Sequence, residues 1–395
     1  MKYRTLKSIW YEDKDHYKTE KDHRANSLET VQLPLMIHHQ PSFYVPDINA
    51  INLIETINKK ETKISNLYNA LPRSAKELYA ISCLIDEIHY SNDIEGVRST
   101  QKEIKKAYDL LQTTGEVDNY TRFSSIVNKY VKFNSDEMIS LSSAQDIRAL
   151  YDEIILPEIN EADFPDGQIF RMKDVYVVDA SGETIHTGIS GEEAIIQSMD
   201  QALSVLKLNI PACIKISILH YYIGYIHPFY DGNGRLNRFI SSYLLSQSFD
   251  SIISYHLSYI IQKRKKRYYD AFETCNDKIN SGDITPFVLT FMEIINDSID
   301  EILDKVQGGT ELLNKYSDMI KEYDINNEQK RLLFYLVQNA LFSIMPFTAQ
   351  ELAILMEKNP QTIKRNINRL IQSGYPIVLE KDGHKNTYRI DLNLL

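Results

Sequence analysis

HPFYDGNGRLNR, residues 227–238, combines a histidine, a carboxylate, a Gly-Asn-Gly turn and two arginines in one short stretch. Gly232 and Gly234 allow tight, partly left-handed turns that leave main-chain N–H groups exposed. Such N–H groups at the start of a helix form a concave nest that attracts anions. Arg235 and Arg238 are three residues apart, so they share a helix face from which both can reach phosphate oxygens. The stretch therefore predicts an anion-binding loop that opens a helix.

Two further side chains of this stretch suit reactions at a bound phosphate. Asp231 is a candidate ligand for a magnesium ion that bridges phosphate groups. His227 is a candidate general base for an incoming hydroxyl. The alternative is a glycine-rich loop whose histidine and arginines only cap helices. A base, an acid and two arginines so close together favour the phosphate site.

The residues on both sides of the loop predict helices. Residues 212–226, ACIKISILHYYIGYI, are apolar over a helical length and contain little turn chemistry. Pro228 disfavours the α conformation at His227, so the first helix should end there and present the histidine at its carboxyl end. The second helix should start at the glycine-rich turn and continue through Leu245. The local prediction is helix, anion-binding loop, helix.

The stretch resembles the signature of the Fic family, His-x-Phe-x-(Asp/Glu)-Gly-Asn-Gly-Arg-x-x-Arg, and matches it at every fixed position. Members of that family transfer a nucleotide monophosphate, usually AMP from ATP, to a protein hydroxyl. The resemblance implies that His227 deprotonates a Ser, Thr or Tyr side chain of a target protein and that Asp231 binds Mg²⁺. It also implies a set of residues that hold the phosphates of ATP: Gly232, Asn233, Gly234, Arg235 and, at the γ-phosphate, Arg238.

Residues 91–96, SNDIEG, are similar to the inhibitory motif of the same family, (Ser/Thr)-x-x-x-Glu-(Gly/Asn). They follow residues 75–90, whose apolar side chains recur at helical spacing, and Gly96 is a plausible helix stop. The resemblance implies that Glu95 restrains the enzyme from a helix that precedes the core. A solvated carboxylate at a helix end is the simpler alternative. A third interpretation is that Glu95 positions water and removes AMP from the target.

Residues 172–189 contain two short β-prone runs on either side of a turn at 179–182, which predicts a hairpin. In the Fic family a hairpin at this place aligns the target protein by strand addition; an ordinary surface hairpin is the alternative. The resemblance further places Tyr268 and Asn276 beside the adenine and ribose. The basic run at 263–267 suggests nucleic acid, but a solvated helix face is the preferred interpretation.

Length and composition indicate two or three domains with ordinary globular cores. The chain has 395 residues, of which 43% are hydrophobic and 25% charged, and a net charge of −10. It has no run of about 18 apolar residues that would predict a membrane span, and its amino terminus lacks the apolar core of a signal peptide. Cys83, Cys213 and Cys275 have neither metal nor disulfide spacing and are interpreted as small buried hydrophobes. A cytoplasmic location is expected.

We expect a mainly α protein with three regions. Residues 1–110 form an N-terminal helical region that carries the inhibitory helix, and within it residues 1–45 form an irregular wrap. Residues 111–305 form a helical Fic-type core with a small β-hairpin flap. A helix over 286–306, with proline at its first position, closes this core. The sequence QGGT at 307–310 should break that helix before helix resumes.

The last seventy residues, 326–395, have a different pattern. Three helices followed by a hairpin with its turn at 381–384 resemble a winged-helix domain, which is assigned to 320–395. The segment holds nine Lys and Arg against six Asp and Glu, a net charge of +3, while the whole chain carries −10. Winged helices bind DNA or other proteins. Three basic residues of the predicted recognition helix are candidate DNA contacts: Lys364, Arg365 and Arg369.

Two functions of different classes are compatible with these patterns. The first is an enzyme that transfers AMP from ATP to a protein hydroxyl and is restrained by Glu95. The second is a DNA-binding regulator whose nucleotide pocket senses a ligand. His227 and Asp231 favour the enzyme, because a sensor needs neither a base nor its metal ligand. The sequence leaves open the target protein, the preferred nucleotide, the direction of the reaction and a possible homo-oligomer.

Overall fold

The computed structural model describes residues 3–117, 121–134, 138–178, 182–382 and 385–395. Helices contain most of these residues and the strands form small antiparallel sheets, so the fold is mainly α, as predicted. The helices, in chain order, are α1 (Leu6–Glu12), α2 (Lys14–Asn26), α3 (Ile48–Ala70), α4 (Arg73–Ile94), α5 (Gln101–Thr114), α6 (Ser124–Val131), α7 (Ala144–Ile154), α8 (Glu192–Ser204), α9 (Ala212–Ile226), α10 (Asn233–Ser246), α11 (Ser251–Ser254), α12 (Leu257–Lys263), α13 (Lys265–Asn276), α14 (Thr285–Glu322), α15 (Asn327–Phe342), α16 (Ala349–Met356) and α17 (Pro360–Gln372). The strands are β1 (Val31–Ile37), β2 (Gln40–Tyr44), β3 (Tyr176–Val178), β4 (Thr184–Thr187), β5 (Phe347–Thr348), β6 (Ile377–Asp382) and β7 (Lys385–Ile390).

The chain divides into two compact units. Unit 1 contains Met1–Glu61 and Ile85–Ile299, and unit 2 contains Thr62–Leu84 and Asp300–Leu395. The boundaries fall inside α3, α4 and α14, so each of these helices contributes residues to both units. Because long helices cross the boundaries, the two units do not coincide with the three regions expected from sequence. The division into three regions stays a prediction.

The amino-terminal residues are not the irregular wrap that the sequence predicts. The side chains of Thr5 and Asp13 cap α1 and α2 by accepting main-chain N–H bonds, and β1 and β2 then form an antiparallel hairpin. The turn of this hairpin contains His38 and His39, whose φ angles are 47° and 64°. These residues lack the Asn-Gly type of signal that marks left-handed hairpin turns. A tertiary hydrogen bond of 3.0 Å, from the N–H of His38 to the Tyr225 hydroxyl, stabilises the turn instead.

Helix α14 continues where the sequence predicts a break at 307–310, so that prediction is wrong. Gly308 and Gly309 lie inside the helix, although glycine in a helix interior costs about 1 kcal/mol relative to alanine. The Phe342 ring of α15 lies so close that a Cβ on Gly309 would stand 2.6 Å from it. Packing in unit 2 therefore outweighs the local preference for a break.

Three helices position the loop at 227–238 and its neighbours. Helix α9 has the predicted bounds and is buried along most of its length. Helix α10 begins at Asn233, directly after Gly232, which has a φ of 80°. Helix α4 ends at Ile94, and Gly96 follows with a φ of 71°. The predicted helix–loop–helix is present, and so is the predicted helix that leads to Glu95.

The carboxyl-terminal part of unit 2 has the order α15, β5, α16, α17, β6, β7. Strand β7 pairs antiparallel with both β5 and β6, and Thr348 and Glu351 form a capping box at α16. Helix α17 buries Ile363 and Ile367 and exposes its basic residues. The order is the one expected of a winged helix, which remains an interpretation. Residues 383–384 of the predicted wing turn lie outside the described residues.

Two further observations concern helix hydropathy and the cysteines. Within the described ranges, no helix has both the length and the apolar character needed to cross a membrane. Cys83, Cys213 and Cys275 are buried, as expected for small core residues.

Candidate active site

His227 is the C-cap residue of α9 and adopts a left-handed conformation, with φ 51° and ψ 64°. Its N–H donates to the carbonyl of Ile223 at 3.0 Å. Burial, together with the neighbouring His186, lowers the pKa of His227 to about 4, although the Glu95 carboxylate acts in the opposite direction. The imidazole is therefore neutral near pH 7 and able to accept a proton.

The loop that follows His227 is held by side-chain hydrogen bonds. The N–H of Phe229 donates to Asn233 Oδ1 at 2.9 Å, and Asn233 Nδ2 donates to the carbonyl of Phe229 at 2.8 Å. The Tyr151 hydroxyl donates to the carbonyl of Asp231 at 3.0 Å, and its ring stacks on Phe229 with a centroid separation of 3.6 Å. The Asn233 side chain thus closes the loop. A phosphate contact from Asn233 would therefore come from its main-chain N–H, which has no intrahelical partner in the first turn of α10.

The predicted magnesium ligand is accessible. The Asp231 side chain is 45% exposed, accepts the N–H of Gly232 at 2.5 Å and lies 3.4 Å from Arg235 Nη2. Mg²⁺ commonly binds through one or two carboxylates, with waters and substrate phosphates completing its shell, so this residue fits the ion. Groups of three or more His, Cys, Asp or Glu able to hold a metal are absent from the described residues.

Arg235 is buried on the first turn of α10, with its side chain only 3% exposed. Its Nε has no hydrogen-bond partner among the described residues. Buried polar groups are normally paired, and an unpaired buried donor points to a missing partner. A phosphate oxygen is the partner expected of a guanidinium beside a nest of N–H groups.

A cavity of about 160 Å³ lies beside the loop, with lining residues from α9, α10, α13 and the β3–β4 hairpin. This volume is below the roughly 300–1,000 Å³ typical of ligand sites. Asp231, Gly232 and Arg235 are not among its lining residues. The predicted site residues that line it are Glu95, His227, Asn233, Gly234, Arg238, Tyr268 and Asn276. The fold therefore brings together residues predicted from three separate parts of the sequence.

Sequence reasoning missed several residues that line the cavity. On α13, Tyr269, Phe272 and Glu273 line it together with the predicted Tyr268 and Asn276. Helical spacing would have identified Phe272, four residues from both predicted positions, and Glu273, three residues before Asn276, because residues three or four apart lie on one side of a helix. Tyr269 lies seven residues before Asn276, about two helical turns away and therefore on the same side. No comparable signal marks the remaining missed residues, which are Val177, Ile185, His186, Gly224 and Asn237.

The guanidinium of Arg238 is bound by the end of α4. Its side chain is 1% exposed, and Nη1 donates to Glu95 Oε1 at 2.7 Å. Nε and Nη2 donate to the hydroxyl and the carbonyl of Ser91 at 3.0 and 2.7 Å. Burial raises the pKa of Glu95, but the charge and hydrogen bond of Arg238 outweigh it and hold that pKa below its usual value. A Cβ on Gly234 would overlap the Glu95 carboxylate, so this carboxylate lies over the glycine-rich loop.

A second carboxylate of α4 was not identified from sequence. Glu87 is fully buried and accepts hydrogen bonds from the Ser242 hydroxyl at 2.9 Å and from the Ser258 hydroxyl and N–H, both at 2.7 Å. Burial raises the pKa of Glu87 to about 7. Glu87, Ser91 and Glu95 are spaced four residues apart and therefore share one helix face. This end of α4 is thus held by contacts that do not involve Glu95.

The predicted hairpin is present as β3 and β4, with Tyr176 opposite Thr187 and Val177 opposite His186. Residues 179–181 of its turn lie outside the described residues. His186 Nε2 lies 2.7 Å from the carbonyl of Tyr225. Because a carbonyl only accepts, Nε2 carries the proton. This bond attaches the hairpin to the last turn of α9.

The basic run at 263–267 is exposed throughout, in agreement with a solvated helix face. Three of its residues form ion pairs with nearby carboxylates: Arg264 with Asp297, Lys266 with Asp270, and Arg267 with Glu293. Nothing in this arrangement favours the nucleic-acid interpretation.

The profile of the Fic/DOC family matches residues 141–245, a span that contains the hairpin, α9 and the loop at 227–238. Residues 141–245 are therefore similar to the Fic domain. A crystal structure of a Fic family protein from Desulfovibrio desulfuricans G20 has a similar fold, with a TM-score of 0.53 and 17% identity, over 92% of this chain and 99% of that one.

Two curated relatives are named protein adenylyltransferase Fic. The protein from Drosophila erecta is 26% identical over 262 residues, which cover 64% of this chain and 47% of the relative. The protein from Aedes aegypti is 26% identical over 248 residues, which cover 59% of this chain and 44% of the relative. The chain thus spans about half the length of the curated relatives it matches.

Proposed function

We propose that this chain transfers AMP from ATP to a hydroxyl side chain of a target protein. The observation that best supports this proposal is the cavity, which a neutral His227 lines together with the glycine-rich loop and Arg238. A base, phosphate-binding N–H groups and a cationic fork are the groups that nucleotidyl transfer needs. The adenylyltransferase names of its relatives support the same chemistry.

In the proposed reaction, His227 accepts the proton of a Ser, Thr or Tyr hydroxyl as the hydroxyl oxygen forms a bond to the α-phosphorus. The bond from the α-phosphorus to the oxygen that bridges to the β-phosphate breaks, and pyrophosphate leaves. The imidazolium then loses its proton to solvent. The N–H groups of 232–234 and the guanidinium of Arg235 stabilise the charge on the phosphate oxygens. Tyr268 and Asn276 are proposed to contact the adenosine.

A direct test uses ATP labelled either on its α-phosphate or on its γ-phosphate. Purified protein, Mg²⁺ and cell lysate are incubated with each form, and labelled proteins are identified by mass spectrometry. Label transferred from the α-phosphate, with the mass of AMP on a hydroxyl residue, is the expected result. Label transferred from the γ-phosphate would show a kinase instead. Competition by unlabelled GTP, CTP or UTP measures the nucleotide preference.

Mg²⁺ bound at Asp231 would neutralise the polyphosphate and stabilise the leaving pyrophosphate. Asp231→Ala is therefore expected to reduce transfer by about 10²-fold or more, since a metal supplies several kcal/mol of charge stabilisation. The rate of labelling with and without chelator checks this. The matched control is Asp270→Ala, which removes an exposed carboxylate paired with Lys266 on α13. Equal wild-type rates with and without chelator would exclude this role.

We further propose that Glu95 inhibits the enzyme by occupying Arg238. In this ion pair, Arg238 Nη1 donates to the Glu95 carboxylate. The same Nη1 is the donor that is proposed to bind the γ-phosphate. The carboxylate also lies over Gly234, part of the loop that is proposed to bind the phosphates. ATP bound beside this pair is expected to adopt a pose in which the α-phosphate is misaligned with His227. Activation of water by Glu95, and hence removal of AMP, is the alternative role.

A second candidate function, DNA binding, is favoured by the exposed basic face of α17. The triple variant Lys364→Glu, Arg365→Glu, Arg369→Glu is expected to weaken DNA binding at least 10-fold and to flatten its salt dependence, because phosphate contacts release counterions. Transfer activity should be unchanged. These substitutions are preferable to deletion of 326–395, which would cut through unit 2.

A control for charge alone places the same three reversals on exposed lysines of α14: Lys305→Glu, Lys315→Glu and Lys321→Glu. Binding to a labelled duplex is measured over a series of salt concentrations for both triple variants. Absent or salt-independent binding by the wild-type chain would favour a protein partner for this surface. Equal loss in both triple variants would exclude a specific role for α17.

A further inference from the structure

Arg171 is a fully buried arginine outside the 227–238 stretch. Its guanidinium donates to three main-chain carbonyls: Nε to His227 at 2.9 Å, Nη1 to Lys173 at 2.6 Å and Nη2 to Ile189 at 2.8 Å. It has no ion pair within the described ranges. Burying a charge is costly unless hydrogen bonds compensate it, so these three bonds explain how the cation is accommodated.

The three carbonyls belong to segments with separate tasks in the proposed reaction. Lys173 precedes β3 and Ile189 follows β4, so they flank the hairpin, while His227 is the proposed base. The main chain adds two bonds to the same junction: the N–H of Arg171 to the carbonyl of Pro228 at 3.3 Å, and the N–H of Ile189 to that of Ile226 at 3.1 Å. A guanidinium is a rigid planar fork, so it fixes these segments relative to one another.

His227 requires such support because of its backbone. A left-handed conformation at a residue other than glycine costs roughly 1–3 kcal/mol and persists only where the surroundings enforce it. The following Pro228 restricts the histidine further. The bond from Arg171 Nε fixes the direction of the His227 carbonyl and therefore the rotation of the peptide that follows. A released turn would relax and move the imidazole.

Close packing shows how little freedom this junction has. A Cβ built on Gly188 would lie 2.5 Å from Arg171 Nη2 and 3.0 Å from the Cβ of His227. Only a residue without a side chain fits between the guanidinium and the proposed base. Gly188 therefore packs against both Arg171 and His227.

We propose that Arg171 is a positioning residue that holds the His227 turn and both ends of the β3–β4 hairpin in one arrangement, so that a hydroxyl presented on the hairpin meets the imidazole. This inference rests on the proposed AMP transfer and adds how target presentation and proton removal are coupled. Arg171 acts through main-chain atoms and does not touch the reacting groups.

The kinetic test compares Arg171→Ala and Arg171→Lys with wild type. Misplacement of a reacting group by about 1 Å can cost about 10²-fold, so kcat should fall about 10²-fold in both variants while the KM for ATP stays within about 3-fold. Arg171→Lys keeps the positive charge but cannot make the three hydrogen bonds of the planar guanidinium. Its kcat should therefore remain below a tenth of the wild-type value. The KM for the target protein should rise in both.

The matched control is Arg148→Ala. Arg148 donates to the carbonyl of Ile169 at 2.8 Å and pairs with Asp152, and among the described residues it has no hydrogen bond or ion pair with β3, β4 or His227. Its replacement should leave kcat within about 2-fold of wild type. Thermal unfolding of all variants establishes that the chain is folded. A kcat within about 3-fold of wild type in folded Arg171→Lys would overturn the proposal.

A second readout does not depend on AMP transfer. NMR titration follows the pKa of His227, which burial lowers to about 4 and to which the charges of His186, Glu95 and Arg171 also contribute. Movement of the ring toward solvent should raise it toward the ordinary value of about 6.5. Arg171→Lys separates movement from loss of charge, because the cation is retained. An unchanged pKa in that variant contradicts the proposal, while a wild-type chain that transfers no AMP contradicts the proposed function alone.

Discussion

Replacement of His227 by alanine is expected to reduce AMP transfer by about 10²–10⁴-fold, the usual contribution of a general base. The affinity for ATP should change by no more than a few fold, because the loop N–H groups and the arginines that bind phosphate do not depend on the imidazole. Transfer is measured with α-labelled ATP, and affinity with a non-hydrolysable ATP analogue. His23→Ala, at an exposed histidine of α2, serves as the control. Undiminished labelling by His227→Ala would remove the proposed mechanism.

The pH dependence of transfer follows from the pKa of His227. Burial lowers this pKa to about 4, so the ring stays neutral well below the pH at which an exposed histidine becomes protonated. The pH dependence of kcat/KM reports the free enzyme. It should therefore show no loss from histidine protonation as pH falls from 7.5 to 5.5, and loss only as pH approaches about 4. A midpoint near 6.5 would show that the imidazole is solvated in the working enzyme.

Glu95→Gly is expected to increase transfer by about 10–100-fold. A hydrogen bond to a charged group is worth about 1.5–3 kcal/mol, and each 1.4 kcal/mol corresponds to a factor of ten in an equilibrium. Its removal leaves Arg238 Nη1 available to the nucleotide. Helix α4 should remain docked, because Ser91 still binds Arg238 and Glu87 still binds Ser242 and Ser258. The measured quantity is the initial rate of α-label incorporation into the chain or its target.

Three further variants distinguish the ways in which Glu95 could act. Glu95→Gln keeps the size and removes the charge, so activation by this variant assigns the inhibition to the ion pair. Asp93→Gly alters a neighbouring exposed carboxylate and should leave the rate unchanged. Arg238→Ala should relieve the inhibition but weaken ATP binding. A Glu95→Gly variant no more active than wild type would exclude inhibition, and loss of AMP removal in it would assign Glu95 to water activation.

The fold near the active site was predictable because its signals are local. Pro228 ends α9, Gly232 starts α10, and both helices have the expected positions. The same holds for the capping box at Thr348. The irregular wrap over 1–45 and the break at 307–310 were wrong for different reasons. Thr5 and Asp13 cap α1 and α2, which is a local signal that the prediction of a wrap did not use. At the turn of the β1–β2 hairpin and in the middle of α14, contacts from the distant residues Tyr225 and Phe342 stabilise conformations that the local residues do not specify.

The sequence by itself determined which groups could act. The chemistry of a side chain follows from its residue type. One short stretch therefore shows that a histidine before proline, a carboxylate and a glycine-rich turn with two arginines are available. Only the tertiary structure decided which of them meet. Glu95 and Arg238 are 143 positions apart and form one ion pair, and burial sets the pKa of His227. Arg171 illustrates the limit most clearly, because its partners are main-chain carbonyls, which every residue possesses and which only folding brings within reach.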